Sequence, residues 1–148
     1  MTATPSTTTP SASGSSTVLV RYCECDPMGV AHHASYIPWL EIGRTDLLRN
    51  TGITYKTLEE RGVFLVIVKL EVKYRRPVLY DDTVEIRTNW IGGSRIKIEH
   101  NYEVIVTKRE NAKEMLPVSA AIASTTLACV NHDGRPMELP DWLATRSH

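Results

Sequence analysis

The chain has 148 residues, 17 basic and 17 acidic, with no net charge, which is the size of one globular domain. Apolar residues make up 42% and charged residues 23%, values that exclude disordered, collagen-like and disulfide-dense chains. Balanced charge, with short basic pairs at Arg75-Arg76 and Lys108-Arg109, offers no field for a polyanion and argues against nucleic acid as a partner. The longest strongly apolar run, Val63 to Val68, is far short of the ~20 residues that cross a bilayer, so no membrane span is expected. Three cysteines, Cys23, Cys25 and Cys129, do not make a disulfide framework and suit a reducing compartment. Together with an N-terminus lacking a basic flank and an apolar run, they indicate a cytoplasmic protein.

Residues 1–16 contain 12 Ser, Thr or Pro and no charge, so they read as a flexible tail ahead of a single domain over 17–148. Val18 to Tyr22 reads as a first strand, and Glu24 to Val30, with Pro27 and Gly29, as a loop. A helical period follows from Ala34 to Thr51, with Ile37, Leu40, Leu47 and Leu48 on one stripe and Glu41, Arg44, Asp46 and Arg49 largely elsewhere. Pro38 is tolerated in its first turn, and Gly52 stops it. Gly43 in its interior costs up to about 1 kcal/mol against Ala, which implies a close neighbour. A short second helix runs from Thr54 to Arg61.

Beyond Gly62 the period becomes two. Phe64, Val66, Val68, Leu70, Val72 and Tyr74 share one face until Pro77. Val84, Ile86 and Trp90 repeat the pattern, as do Ile96, Ile98, Tyr102, Val104 and Val106. Val118 to Val130, apolar or small on both faces, reads as a strand inside a sheet, and turns such as Asp133-Gly134 connect the series. Without helices between these last four strands the sheet must be largely antiparallel, giving an α+β two-layer domain.

Chemistry concentrates in Arg21 to Tyr36, RYCECDPMGVAHHASY. Pro27 and Gly29 stiffen the turn that carries Asp26, and the helix start beyond it brings unpaired amides and a positive dipole end. A fixed carboxylate facing such donors suits acyl transfer, with the donors holding the developing oxyanion. Taken alone, the tripeptide fits a turn-capping aspartate better.

The stretch CDPMGVAHHASYIPWLEIGRTDLL, followed by YRRPVLYDDTVEI, resembles the hotdog-fold acyl-CoA thioesterases of the 4-hydroxybenzoyl-CoA thioesterase-like family. The resemblance runs from about Val18 to Leu139. It implies a hotdog fold, a curved antiparallel sheet of about five strands around one long central helix. It also implies hydrolysis of an acyl-CoA or related pantetheine thioester, with CoA part of the substrate and no separate cofactor or metal. By the same resemblance, Asp26 matches the catalytic carboxylate, as nucleophile or general base. His33 falls where a backbone amide polarises the thioester carbonyl, and Tyr36 lies near the acyl group. Members are dimers or tetramers with sites between subunits, so a homodimer or homotetramer is expected, with strand residues near Val68 of the partner walling the pocket. Where some relatives carry basic side chains for CoA phosphates this chain has Gly92-Gly93, which leaves Arg95 and Lys97 as candidates. A thiolate leaving group, with a conjugate-acid pKa of roughly 8.5, needs no dedicated general acid, so one carboxylate plus amide donors suffices.

Three rival readings compete. Cys23 and Cys25 with His32 or His33 form a metal site, although Cys-x-Cys is tighter than usual zinc spacing; or Cys25 is a nucleophile beside His33; or the fold binds acyl-CoA or an acyl-carrier protein without hydrolysis. Otherwise His100 reads as a hydrogen-bonded core histidine, His132 as a turn residue, Trp39, Trp90 and Trp142 as packing, and Asp81-Asp82 as a solvated turn. His32 has no assigned role.

Overall fold

The computed structural model describes residues 12–144. Its elements are β1 (Ala12–Leu19), α1 (Tyr36–Arg49), α2 (Tyr55–Glu60), β2 (Phe64–Tyr74), β3 (Thr83–Gly93), β4 (Lys97–Lys108), β5 (Val118–Val130) and α3 (Asp141–Ala144). The strands form one antiparallel sheet in the order β1-β3-β4-β5-β2, so β5 lies inside the sheet, as its apolar composition requires.

β1 starts before the compositional boundary at Thr17. Ala12 to Leu19 pair with Trp90 to Thr83, so the domain extends back through the Ser-rich segment; small residues are enough where a neighbouring strand supplies the ladder. The expected tail over residues 1–11 lies outside the described residues. Likewise Asp133-Gly134 follows the last strand rather than joining two strands, in a loop closed by a Val130↔Pro136 bridge.

α1 lies on one face of the sheet. Trp39 and Leu40 are fully buried, and Tyr36, Leu47 and Leu48 nearly so, each contributing on the order of 1.5–3 kcal/mol by leaving water. Around them the core divides into two clusters, one near Tyr36 to Leu40 and one near Leu47, Leu48, Trp90 and Leu143. Ile37, expected on the buried stripe, is 39% exposed, because Tyr36 and Trp39 fill that position. Arg44, expected on the outer face, is 7% exposed. At Gly43 an added Cβ would lie 2.3 Å from Thr88 Oγ1, which is the close neighbour its sequence position implies.

The period-two reading of β2 fails at its centre. A bulge at Val68 shifts the register between Ile67 and Lys69. Leu65 and Ile67 pair with Cys129 and Leu127, and beyond the bulge Leu70 and Val72 pair with Thr125 and Ala123. The inward set therefore changes from odd to even numbers, because an extra residue on one strand inverts the alternation.

Candidate active site

The loop after β1 is built around Glu24. Its buried carboxylate accepts Arg21 N–H at 2.8 Å on Oε1, and Trp39 Nε1 at 2.9 Å with Arg21 Nη2 at 3.2 Å on Oε2. Its carbonyl accepts His32 N–H at 2.8 Å and Ser35 Oγ–H at 2.7 Å. One residue thus ties the strand end, the loop and the start of α1 together. Burial pushes the Glu24 carboxyl up, but the bonds from Arg21 and Trp39 and the Arg21 charge outweigh this and hold it below the ordinary value.

Two residues on, Asp26 closes the Asp-Pro-Met-Gly turn. Its Oδ1 accepts Met28 N–H at 2.9 Å and Val30 N–H at 3.1 Å, while its own N–H donates to the Val30 carbonyl at 2.8 Å. Gly29, at φ 80°, supplies the left-handed residue the bend needs. Oδ1 is therefore committed to the turn, as in a capping aspartate, whereas Oδ2 has no partner among the described residues.

Further along the chain, His33–Ser35 form a turn of 3-10 helix leading into α1. His32, without a role in the sequence reading, caps it: Nδ1 accepts Ala34 N–H at 3.1 Å, and the His32 carbonyl accepts Ser35 N–H at 2.9 Å. This leaves His33 N–H as the first-turn donor for which the described residues offer no acceptor, as helix geometry dictates. The His33 carbonyl accepts Tyr74 O–H at 2.7 Å, and the Tyr74 and Tyr36 rings meet edge to face at 4.9 Å. A cavity of about 270 Å³ opens here, lined by residues including Val30, His33, Tyr36, Tyr74, Arg75 and Arg76. Burial pushes the Tyr36 phenol up to about 12, so it stays a neutral hydroxyl.

Of the sequence candidates, His33 and Tyr36 line this cavity; Asp26 lies on the adjoining loop, bonded to the amide of the lining residue Val30, and is not itself among the lining residues. Val68 and Lys97 share a different cavity of about 560 Å³ with Lys69, Gly93 and Ser94. Arg95 is ion-paired with Glu138 and does not line that cavity.

The rival readings meet specific obstacles. No group of three His, Cys, Asp or Glu among the described residues stands close enough to hold a metal. Cys25 has its thiol pushed up by burial and by neighbouring carboxylates, the reverse of an activated nucleophile. Cys23 is exposed and Cys25 only half-buried, so of the three cysteines Cys129 is the buried small hydrophobe.

Two further expectations need correction. Asp82 is not solvated: it is 1% exposed and held by Arg109 at 2.7 Å, a partner 27 positions away. His100 is buried, but its Nδ1 has no hydrogen-bond partner among the described residues; the Tyr102 ring stacks on it and the Trp90 ring lies tilted beside it. The Trp142 side chain lies outside the described residues.

No described helix is long and apolar enough to cross a membrane. Residues 20–146 match the family model of the thioesterase-like superfamily. YbgC of Escherichia coli O6:H1, an acyl-CoA thioester hydrolase, is 38% identical over 71 residues, 48% of this chain and 53% of YbgC; the matched stretch spans about half that relative. The DHNA-CoA thioesterase of Staphylococcus aureus is 27% identical with a TM-score of 0.77, over 88% of this chain and 85% of that one. The 4-hydroxybenzoyl-CoA thioesterase of Pseudomonas sp. strain CBS-3 superposes with a TM-score of 0.80 at 20% identity, over 91% of this chain and 99% of that one. That likeness establishes the hotdog fold. With the family model covering the loop, the helix and every strand of the sheet except β1, this chain belongs to the thioesterase-like superfamily.

Proposed function

We propose that the protein hydrolyses an acyl-CoA, or a related pantetheine thioester, to the free acid and the thiol. Two local features support this reading: an aspartate whose Oδ1 is fixed by two turn amides, and a helix-start N–H, that of His33, for which the described residues offer no acceptor. A thioester carbonyl oxygen accepts the His33 N–H, which stabilises the oxyanion. Asp26 Oδ2 either takes a proton from an attacking water or adds to the carbonyl itself. The C–S bond then breaks and the thiolate departs without needing an acid; on the nucleophilic route this leaves a mixed anhydride on Asp26, which water hydrolyses to the free acid and the restored carboxylate. Membership of a thioesterase family and the activities named for YbgC and the S. aureus enzyme support this reading. The chemistry calls for no cofactor beyond the CoA that belongs to the substrate.

A second copy of the chain completes the site. β2 is an edge strand, and Val66, Ile67, Val68 and Leu70 are exposed along it, an arrangement that invites pairing with another strand. Such pairing brings Val68, and with it Lys97 of the same cavity, toward the neighbouring active site, as expected for a pocket wall and a CoA phosphate contact. The exposed free thiol of Cys23 suits the reducing cytoplasm.

Thiol release from a panel of acyl-CoA esters tests the proposal. Asp26→Asn keeps an Oδ1 for the turn amides, so its thermal transition should not move, while turnover falls on the order of a hundredfold to ten-thousandfold. Full turnover by this variant would remove Asp26 from the mechanism. Tight binding without hydrolysis by the wild type would leave a binding module instead.

A further inference from the structure

We propose that Arg75 and Arg76 form an anion-recognising subsite at the lip of the candidate active site, gripping a charged group of the thioester: a phosphate of its carrier arm or a carboxylate on its acyl group. The inference rests on the thioesterase reading and adds a recognition element to it. Both residues line the cavity that contains His33 and Tyr36, and no carboxylate is among its lining residues. Arg21, Arg44, Arg49, Arg87, Arg95 and Arg109 each have a carboxylate within 4.0 Å; neither Arg75 nor Arg76 does among the described residues.

Their backbone is held in place, although among the described residues their side chains make no ion pair. Arg75 N–H and Arg76 N–H share the Ala120 carbonyl at 2.8 and 3.0 Å. Pro77 follows, with its own carbonyl held by Arg109 Nη2 at 3.1 Å. On the other side Tyr74 anchors the His33 carbonyl. Two adjacent guanidiniums on a fixed backbone, beside an oxyanion donor, present the planar forks that match phosphate or carboxylate.

The test compares the Arg75→Gln/Arg76→Gln protein with its parent, as full chains, by calorimetric binding in an Asp26→Asn background and by turnover in the wild-type background. Four thioesters are used: butyryl and succinyl esters of CoA and of N-acetylcysteamine, the last pair having no phosphate. We expect affinity to weaken about tenfold or more for at least one charged ligand. Weakening for butyryl-CoA but not for butyryl-N-acetylcysteamine identifies a carrier phosphate. Weakening for succinyl-N-acetylcysteamine beyond its butyryl counterpart identifies an acyl carboxylate. Affinities within twofold for all four ligands, or no binding to the parent, overturn the subsite. Binding lost to the double variant while the wild type hydrolyses none of the four leaves the subsite standing and sinks the thioesterase reading.

Discussion

Glu24→Gln is the substitution in which the loop architecture is most exposed to test. The carboxylate serves three donors, Arg21 N–H, Trp39 Nε1–H and Arg21 Nη2, and Trp39 is fully buried. Glutamine keeps one acceptor oxygen and sets its NH₂ against a donor at the other position. The loss of a charge-assisted bond, about 1.5–3 kcal/mol, overlaps with the cost of orphaning a buried donor, about 1–3 kcal/mol. A total near 3 kcal/mol is expected, read as a shift of urea-unfolding midpoint at unchanged slope. Removing the orphaned donor in Glu24→Gln/Trp39→Phe should give a double-mutant coupling of about 1 kcal/mol or more in the rescuing direction. The pH dependence has a definite sign: the folded-state pKa of Glu24 is lowered, so its contribution is complete above the unfolded value of about 4.3. It is lost as pH falls through the folded pKa, and the difference between wild type and variant should shrink there. A Glu24→Gln cost below about 0.5 kcal/mol at pH 7, the range of an ordinary surface change, would refute the clamp.

Two other perturbations follow from the same packing. Burial, aided by the nearby Arg44 charge, pushes His100 down to about 3, so between roughly pH 3 and 6.5 the unfolded chain binds a proton that the folded one does not. Stability should therefore fall on acidification through that window, and His100→Asn should flatten the dependence in denaturation curves at pH 7 and 4.5; parallel curves would contradict it. Gly43→Ala gains up to about 1 kcal/mol of helix propensity but places Cβ 2.3 Å from Thr88 Oγ1 and 3.0 Å from Ile86 Cγ2. With Thr88 stiff and buried, overpacking of about 1–3 kcal/mol wins, and a lowered thermal midpoint is expected; a raised one would show that α1 can lift.

What could be read from the chain alone was whatever local geometry decides. Pro27 and Gly29 around Asp26 make a turn wherever they occur, Gly52 ends a helix, and alternation marks strands. The order of elements and the Asp26 loop were legible for that reason, and the family motifs added the hotdog fold. Placement across the fold was not legible. The bulge at Val68 depends on register against β5, which no run of β2 residues encodes. Glu24 looks like one more loop acid until Trp39, 15 positions away, is packed against it. Asp82 reads as solvated until Arg109 reaches it, and Arg44 as exposed until α1 settles on its layer. Each of these turns on which groups are excluded from water together, and burial belongs to the assembled layers rather than to any segment of chain.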